Sequence, residues 1–194
     1  MQASVVASRP RHIHRLAVSA SFLLQGLCFS TWASRIPTVQ QKLHLSETEL
    51  GGVLLAVPVG LIASLPITGW LVAKHGSRTM TVLAVLLYSG ALPLLGLAQN
   101  VPQLLAALVL FGFGSNMANI SVNTQGVGVE AIYGKSILAT FHGIWSLAGF
   151  VGAALGTAMI GWGISPLQHF TGMALFIWLG VALMRPYTTL FRCT

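Results

Sequence analysis

Six long apolar segments occupy most of this chain and decide what it can fold into. They cover residues 16–34, 50–73, 80–98, 102–122, 137–160 and 166–184. An α-helix rises about 1.5 Å per residue, so about 20 apolar residues cross a hydrocarbon layer about 30 Å thick. Each segment comes close to that length, and none contains an aspartate or a glutamate. The pattern predicts six transmembrane helices.

The composition supports lipid as the main solvent of the chain. Only 7% of the residues are charged, whereas soluble domains average about 25%. In lipid, backbone groups must be satisfied within the protein, which leaves helices or a closed barrel. The uninterrupted apolar run at residues 104–110 lacks the alternation of barrel strands. We therefore expect an all-α membrane protein without a soluble domain.

The basic residues predict an orientation and exclude one class of partner. The net charge is +7, but the cations lie between segments and at the chain ends, so a nucleic-acid partner is not indicated. With the N-terminus inside, Arg35 and Lys42 are external, and eight basic residues are cytoplasmic. Those eight are Arg9, Arg11, Arg15, Lys74, Arg78, Lys135, Arg185 and Arg192. This asymmetry predicts that both termini are cytoplasmic.

The domain organisation follows from the same segments. Residues 1–15 are expected to form a basic cytoplasmic tail, residues 16–186 the six-helix bundle, and residues 187–194 a non-native or truncated end. A cleaved signal peptide is disfavoured because the first segment is too long and more spans follow. Ser46 and Glu49 form a capping box that fixes the start of the second span.

The turn after the second segment carries a family resemblance. Residues 69–78, GWLVAKHGSR, resemble the cytoplasmic signature loop of the major facilitator superfamily, at the place where that family has it. The matching residues are Gly69, Leu71, Lys74, Gly76 and Arg78. Val72, Ala73 and Ser77 depart from the pattern. Ala73 replaces the acidic residue that helps to latch the two halves of such proteins, which implies a weaker or different latch.

A second stretch is similar to one branch of that superfamily. Residues 123–130 and 140–146 resemble the branch that includes fucose permease and uncharacterised bacterial inner-membrane relatives. The resemblance implies twelve spans in two six-helix halves, with the solute bound near the midplane between them. It implies that this chain is the N-terminal half, that a C-terminal six-helix half is missing, and that the protein lies in the bacterial inner membrane.

A polar stripe marks the fourth segment. Ser115, Asn116, Asn119 and Asn123 recur at helical spacing and must face protein or a water-filled cavity. Asparagine both donates and accepts hydrogen bonds, which suits a neutral polyol or a sugar-like solute. Interhelical hydrogen bonding is the equally weighted alternative. Further candidates for lining a cavity are Gln25, Ser30, His142 and Trp145.

Three other features have both a functional and a plain structural interpretation. His142 is the best ionisable candidate within the membrane and could carry a proton, or it could simply bond to a neighbouring helix. Glu130 and Lys135 could form a gating ion pair or belong to an ordinary loop. Glycines in the fifth segment are expected to pack against another helix. They are Gly149, Gly152 and Gly156.

The chain shows no motif for catalysis. We expect no metal site, no cofactor and no enzymatic activity, because metal-ligand spacings, phosphate loops and hydrolase motifs are missing from the sequence. The predicted function is that of a fragment of a secondary active transporter. It would move a small polar solute across the bilayer by alternating access, with a proton gradient as a candidate driving force. The alternative is a complete six-span membrane protein with a structural or partner role.

Overall fold

The structure is a computed structural model that describes residues 10–187. Within this range it is built from helices, and six of the helical stretches are long and apolar enough to cross a membrane. The helices are α1 (Arg11–Ala33), α2 (Ile36–Lys42), α3 (Glu47–Leu54), α4 (Ala56–His75), α5 (Ser77–Leu97), α6 (Val101–Tyr133), α7 (Leu138–Gly161) and α8 (Pro166–Met184). A 3₁₀ turn, Arg185–Tyr187, follows α8. The predicted all-α class and the six spans are confirmed.

The six spans do not correspond one to one with the eight helices. The first span continues through a break at Ser34 and Arg35 into α2, and the second consists of α3 and α4. The break between α3 and α4 falls at Leu55, three residues before Pro58. Proline has no N–H for the carbonyl four residues earlier, so the regular bonding pattern fails at Leu54. Pro58 lies in the first turn of α4, whereas Pro66 lies in its interior.

Two helices are longer than the sequence indicated. The polar stretch from Asn123 onward, expected to be a connection, is helical to Tyr133, and the helix ends at Gly134 with φ +66°. The Nδ2 group of Asn123 donates to the backbone oxygen of Asn119, so these polar side chains bond back onto the helix. Helix α1 begins at Arg11, inside the expected tail. The rest of that tail, residues 1–9, and residues 188–194 of the expected C-terminal end lie outside the described residues.

Capping boxes start two of the spans as the sequence predicts. The Ser46 hydroxyl accepts from the Glu49 backbone N–H, and the Ser46 backbone N–H donates to the Glu49 carboxylate at 2.9 Å. Ser165 and Gln168 repeat this reciprocal pair at the start of α8. Each box satisfies two orphan donors at a helix end and fixes where the chain enters the bundle.

The bundle is organised around α1 and α6, which contact each other. Helix α6 packs between α4 and α5, and α1 packs against α7 and α8. Helices α4 and α6 approach each other closely, since Gly60 lies against the Val109 carbonyl and Gly112 lies against the Val57 carbonyl. A Cβ at either glycine would overlap backbone atoms of the other helix, so this crossing requires residues without side chains.

The glycines of α7 divide between two environments. Gly152 and Gly156 lie against the side chains of Ser30 and Ser34 on α1. The packing prediction is wrong for Gly149, where an added Cβ would meet nothing within 4 Å. At this level of α7 the contact with α1 is made by the adjacent residue, Ala148, whose Cβ lies against Gly26.

Both ends of the described chain lie at the same end of the bundle. His14 in α1 contacts the backbone oxygen of Tyr187 through its Nδ1 atom at 3.0 Å. Six antiparallel spans bring the two ends of the described range together in this way. We call this the terminal end of the bundle and refer to the other as the distal end.

Candidate functional site

An open cavity of about 300 Å³ lies where α1, α5, α6 and α7 meet. Three of its side chains come from α1 and two each from α6 and α7, while α5 contributes one. The lining residues are Phe22, Gln25, Phe29, Tyr88, Ser115, Asn119, His142 and Trp145. Five of these were predicted from the sequence: Gln25, Ser115, Asn119, His142 and Trp145. The cavity therefore brings together the polar side chains of α1 and α6 with the aromatic and ionisable side chains of α7.

The lining combines neutral hydrogen-bonding groups with aromatic rings. Gln25 is 5% exposed, and its Nε2 atom makes a long contact, 3.5 Å, with the Ser21 carbonyl. The rings of Phe29 and Trp145 lie together, with centroids 5.9 Å apart. None of the lining residues is an aspartate, glutamate, lysine or arginine. Such a site suits an uncharged solute with hydroxyl or amide groups and an apolar face.

The polar stripe of α6 has two separate roles. Ser115 and Asn119, four residues apart, share the face that lines the cavity. Asn116 is buried and turned toward α4, where its Nδ2 group donates to Ser64 Oγ at 2.7 Å and to the Leu61 carbonyl at 3.3 Å. The prediction that Asn116 lines the cavity is wrong, because one residue along a helix rotates the side chain by about 100°.

Asn123 supports the cavity from outside its lining. Its Nδ2 group donates to the Asn119 side-chain oxygen at 2.7 Å and to the Asn119 backbone oxygen at 2.8 Å. The side-chain oxygen of Asn119 therefore has a partner within α6. Asn123 positions Asn119, in place of the direct lining role that the sequence suggested.

Ser30 belongs to helix packing. Its hydroxyl donates to the Gly26 carbonyl at 2.8 Å within α1, and its side chain fills the space beside Gly152 of α7. The expectation that Ser30 lines the cavity is wrong, because a close α1–α7 contact covers that face.

His142 is exposed on the cavity side of α7. Its ring meets the Phe22 ring edge-on, at 5.2 Å between centroids and 74° between planes. No hydrogen bond of the His142 side chain to another residue in the range 10–187 accompanies this contact. The alternative of a histidine bonded to a neighbouring helix therefore does not describe the structure.

Three aromatic lining residues were not identified from the sequence. Phe22 and Phe29 lie on α1, and Tyr88 lies on α5, where its ring packs against Phe111 at 4.6 Å. The Tyr88 side chain also interacts with the side chains of Ser115 and Cys28. An aromatic residue in an apolar segment gives no signal of which face it occupies, so only the assembled bundle reveals these positions.

The signature loop lies at the terminal end. Gly76 ends α4 with φ +81°, the Lys74 ammonium lies 4.5 Å from the centroid of the Trp70 ring, and the Arg78 Nη2 group donates to the Arg185 backbone oxygen at 2.9 Å. The loop thus connects the α4–α5 turn to the end of α8. Gly69 and Leu71, the other matching residues, lie within the last turns of α4.

Glu130 caps a helix and does not pair with Lys135. Its carboxylate accepts from the backbone N–H groups of Ile137 and Leu138, both at 2.8 Å, and from the Ser136 hydroxyl at 3.3 Å. Carboxylates are favoured at helix N-termini because the first N–H groups lack partners there. The sequence suggested a gating pair, but the observed contacts tie the end of α6 to the start of α7.

Replacing Glu130 with alanine should loosen the first turn of α7, whereas replacing Lys135 with alanine should leave it intact. The reason is that Glu130 alone bonds the Ile137 and Leu138 amides. Hydrogen exchange of these two amides, followed by mass spectrometry, measures the difference. Equal acceleration of exchange in both variants would restore the ion-pair interpretation.

The distal end contains a buried arginine. Arg35 is 2% exposed, and its Nε atom donates to His169 Nδ1 at 3.2 Å while its Nη2 group donates to the Ile164 carbonyl at 2.9 Å. Nearby, the Lys42 ammonium donates to the carbonyls of Gly96 and Ala98 at the end of α5. The sequence suggested that both cations lie in an external loop. In the structure, Arg35 links the break between α1 and α2 to α8, and Lys42 links α2 to the end of α5.

The sequence model of the Major Facilitator Superfamily matches residues 18–189, which contain the whole cavity. The chain belongs to the Major Facilitator Superfamily. It is thus a member of a transporter family and not an enzyme. The resemblance of the signature loop is in this respect confirmed.

Curated relatives of this major facilitator chain are also described as transporters or membrane proteins. It is 30% identical over 186 residues to an uncharacterised MFS-type transporter of Yersinia pestis, covering 96% of this chain and 48% of that protein. It is 35% identical over 139 residues to an uncharacterised transporter of Sinorhizobium fredii, covering 72% and 37%. It is 28% identical over 168 residues to membrane protein MosC of Rhizobium meliloti, covering 87% and 40%. The chain spans half or less of the length of these relatives.

Proposed function

We propose that this chain forms the N-terminal six-helix half of a secondary active transporter. The transporter moves a small polar solute by alternating access, with a proton gradient as its driving force, and a C-terminal six-helix half supplies the facing wall of the binding site. The observation that carries the proposal is the open cavity between α1, α6 and α7, which concentrates neutral polar and aromatic side chains within an apolar bundle. Because the cavity is open on one side, a C-terminal half has room to form its second wall.

The solute that fits this lining best is neutral and hydroxylated. Gln25, Ser115 and Asn119 each offer both a donor and an acceptor, which matches hydroxyl groups. A solute with a full charge would meet no opposite formal charge among the lining residues. The aromatic rings of Phe29 and Trp145 supply an apolar surface for the C–H face of a ring or chain. A polyol or a sugar-like compound has both properties.

The charges at the two ends of the bundle support an orientation in the membrane. Lys74, Arg78 and Arg185 lie at the terminal end, and the two glutamates in the first turn of α3, Glu47 and Glu49, lie at the distal end. Cytoplasmic loops carry the excess of lysine and arginine. We therefore place the terminal end in the cytoplasm and the protein in the bacterial inner membrane, with the bilayer around its apolar surface.

A complete six-span protein with a structural or partner role is the second candidate. The observation in its favour is Asn116, a polar residue of the stripe that joins α6 to α4. If every polar residue in the spans made such contacts, no solute site would remain. Asn119 and Gln25 do not fit this interpretation, because both line the open cavity.

Reconstitution tests the proposal directly. The natural reading frame that contains this chain is purified, placed in proteoliposomes and supplied with radiolabelled pentoses, hexoses, hexitols and neutral amino acids. We expect exchange of at least one of these solutes without an energy source, and accumulation when the outside is made acidic. Absence of both exchange and accumulation across the panel would reject the transporter proposal in favour of the structural role.

Two asparagines three residues apart should respond differently to substitution. We expect Asn119→Ala to weaken solute affinity by about tenfold, the effect of losing about 1.4 kcal/mol of hydrogen bonding, with little change in thermal stability. Asn116→Ala should lower thermal stability because Ser64 loses its partner. The half-saturation concentration for exchange and the unfolding temperature in detergent separate the two effects. If both variants changed solute affinity and thermal stability in the same way, Asn116 and Asn119 would not have the separate roles described above.

A further inference from the structure

We propose that His142 binds the proton that is coupled to solute binding in this cavity. The inference rests on the proposed transport function and names the residue that would link it to a proton gradient. Histidine is the side chain whose ordinary charge change falls between about pH 5 and 8, so it suits reversible protonation during a transport cycle.

The acidic residues of the chain are all engaged away from the cavity. The sequence contains only three, Glu47, Glu49 and Glu130. Glu47 accepts from Gln40 Nε2 at 3.0 Å, Glu49 caps α3, and Glu130 caps α7. A carboxylate cannot therefore serve as the proton site on this side of the cavity. His142 is the histidine among the residues that line the cavity.

The surroundings of His142 leave its imidazole open to a solute. The side chains that face the cavity with it are neutral and come from each adjoining helix: Phe22, Gln25 and Phe29 on α1, Tyr88 on α5, Ser115 and Asn119 on α6, and Trp145 on α7. Tyr88 is the other titratable group among them. Within residues 10–187 the described contact of the imidazole is the Phe22 ring at 5.2 Å.

This arrangement makes protonation depend on the solute. None of the lining residues is a carboxylate, so a positive charge on the His142 imidazole has no opposite formal charge beside it. The Phe22 ring offers only partial compensation as an aromatic partner of a cation. A bound solute adds oxygen atoms that accept hydrogen bonds from the imidazolium. Solute binding then favours protonation, and by thermodynamic reciprocity protonation favours solute binding to the same degree.

The experiment uses the proton itself as the probe. Proteoliposomes that contain the full natural polypeptide are loaded with the pH-sensitive dye pyranine and exposed to the solute panel described above. Solute entry should acidify the interior when protons enter with it. Replacing His142 with glutamine keeps a polar side chain but removes the imidazole that can bind a proton. We expect His142→Gln to reduce solute-dependent proton entry by at least about fivefold, the lower end of ordinary coupling between two sites.

Exchange in the absence of a gradient separates coupling from folding and from the transport proposal. His142→Gln should exchange solute with weaker affinity, since the solute loses a hydrogen-bond donor in the cavity, and the exchange that remains should lose the pH dependence that the unmodified protein shows. The matched control is His12→Gln, an exposed histidine in the first turn of α1, which should behave like the unmodified protein. If His142→Gln exchanges solute and still carries protons normally, the inference is overturned while the transporter proposal stands.

Two further outcomes are decisive. Loss of exchange in His142→Gln together with loss of a monodisperse elution peak would point to a folding role, and His142→Asn then provides the second test of the same coupling. A stable variant of either kind with unchanged proton entry overturns the inference. Absence of exchange in the unmodified protein would overturn both proposals.

Discussion

Replacing Gly112 with leucine is expected to prevent α4 and α6 from packing. A Cβ at Gly112 already overlaps the Val57 carbonyl of α4, and that atom is backbone and cannot rotate away. Overpacking of well-packed sites usually costs about 1–3 kcal/mol, and a backbone clash at a helix crossing belongs at or above the top of that range. We therefore expect destabilisation by at least about 3 kcal/mol.

The control for this substitution is another glycine in a helix. Gly172 of α8 is exposed, and a Cβ there meets nothing within 4 Å. Gly172→Leu should be neutral or slightly stabilising, since leucine has a higher helix propensity than glycine by up to about 1 kcal/mol. The fraction of monodisperse protein that survives heating in detergent, measured by size-exclusion chromatography, compares the two. Equal stability of Gly112→Leu and Gly172→Leu would show that α4 and α6 can move apart without lowering the stability of the protein.

Replacing Arg35 with leucine should release the distal end of α1 from α8. The substitution leaves His169 Nδ1 and the Ile164 carbonyl without their donors in a buried place. A hydrogen bond from a charged group contributes about 1.5–3 kcal/mol, so loss of both should lower the free energy of unfolding by about 3 kcal/mol or more. Thermal unfolding in detergent measures the loss, and hydrogen exchange at Ile164 and His169 locates it.

Lys42 provides the comparison for Arg35. It is also a cation of the distal end, but its side chain is exposed, and its partners Gly96 and Ala98 can turn to water when the ammonium is removed. Lys42→Met should therefore have a clearly smaller effect than Arg35→Leu. An Arg35→Leu variant that unfolds no earlier than Lys42→Met would show that burial adds nothing to the role of Arg35.

Some of these structural features could be predicted from the sequence, and others could not. The capping boxes at Ser46 and Ser165 were readable because a cap depends on residues three positions apart in the chain. The extension of α6 to Tyr133 was missed because polarity suggested a connection, while Asn123 and Thr124 satisfy the helix itself. The burial of Arg35 was missed because its partners lie more than a hundred residues away.

The polar stripe of α6 gives the clearest example. Its spacing predicted that Ser115, Asn116, Asn119 and Asn123 share a broad face, and they do lie on neighbouring parts of one helix. The sequence could not decide which of them meets α4 and which meets the cavity. That choice depends on where α4 crosses α6, and the crossing is set by Gly60 and Gly112 together with Val57 and Val109.

The amino-acid sequence by itself determined the number of spans, most of their limits, their helical character and the superfamily. These properties depend on segment length, on the lack of charge and on local motifs, all of which act along the chain. Only the tertiary structure decided which polar side chains face the cavity, that Tyr88, Phe22 and Phe29 join them, and that Glu130 caps α7. In a membrane bundle the lipid-facing and the buried sides of a helix are both apolar, so hydrophobic periodicity does not distinguish them.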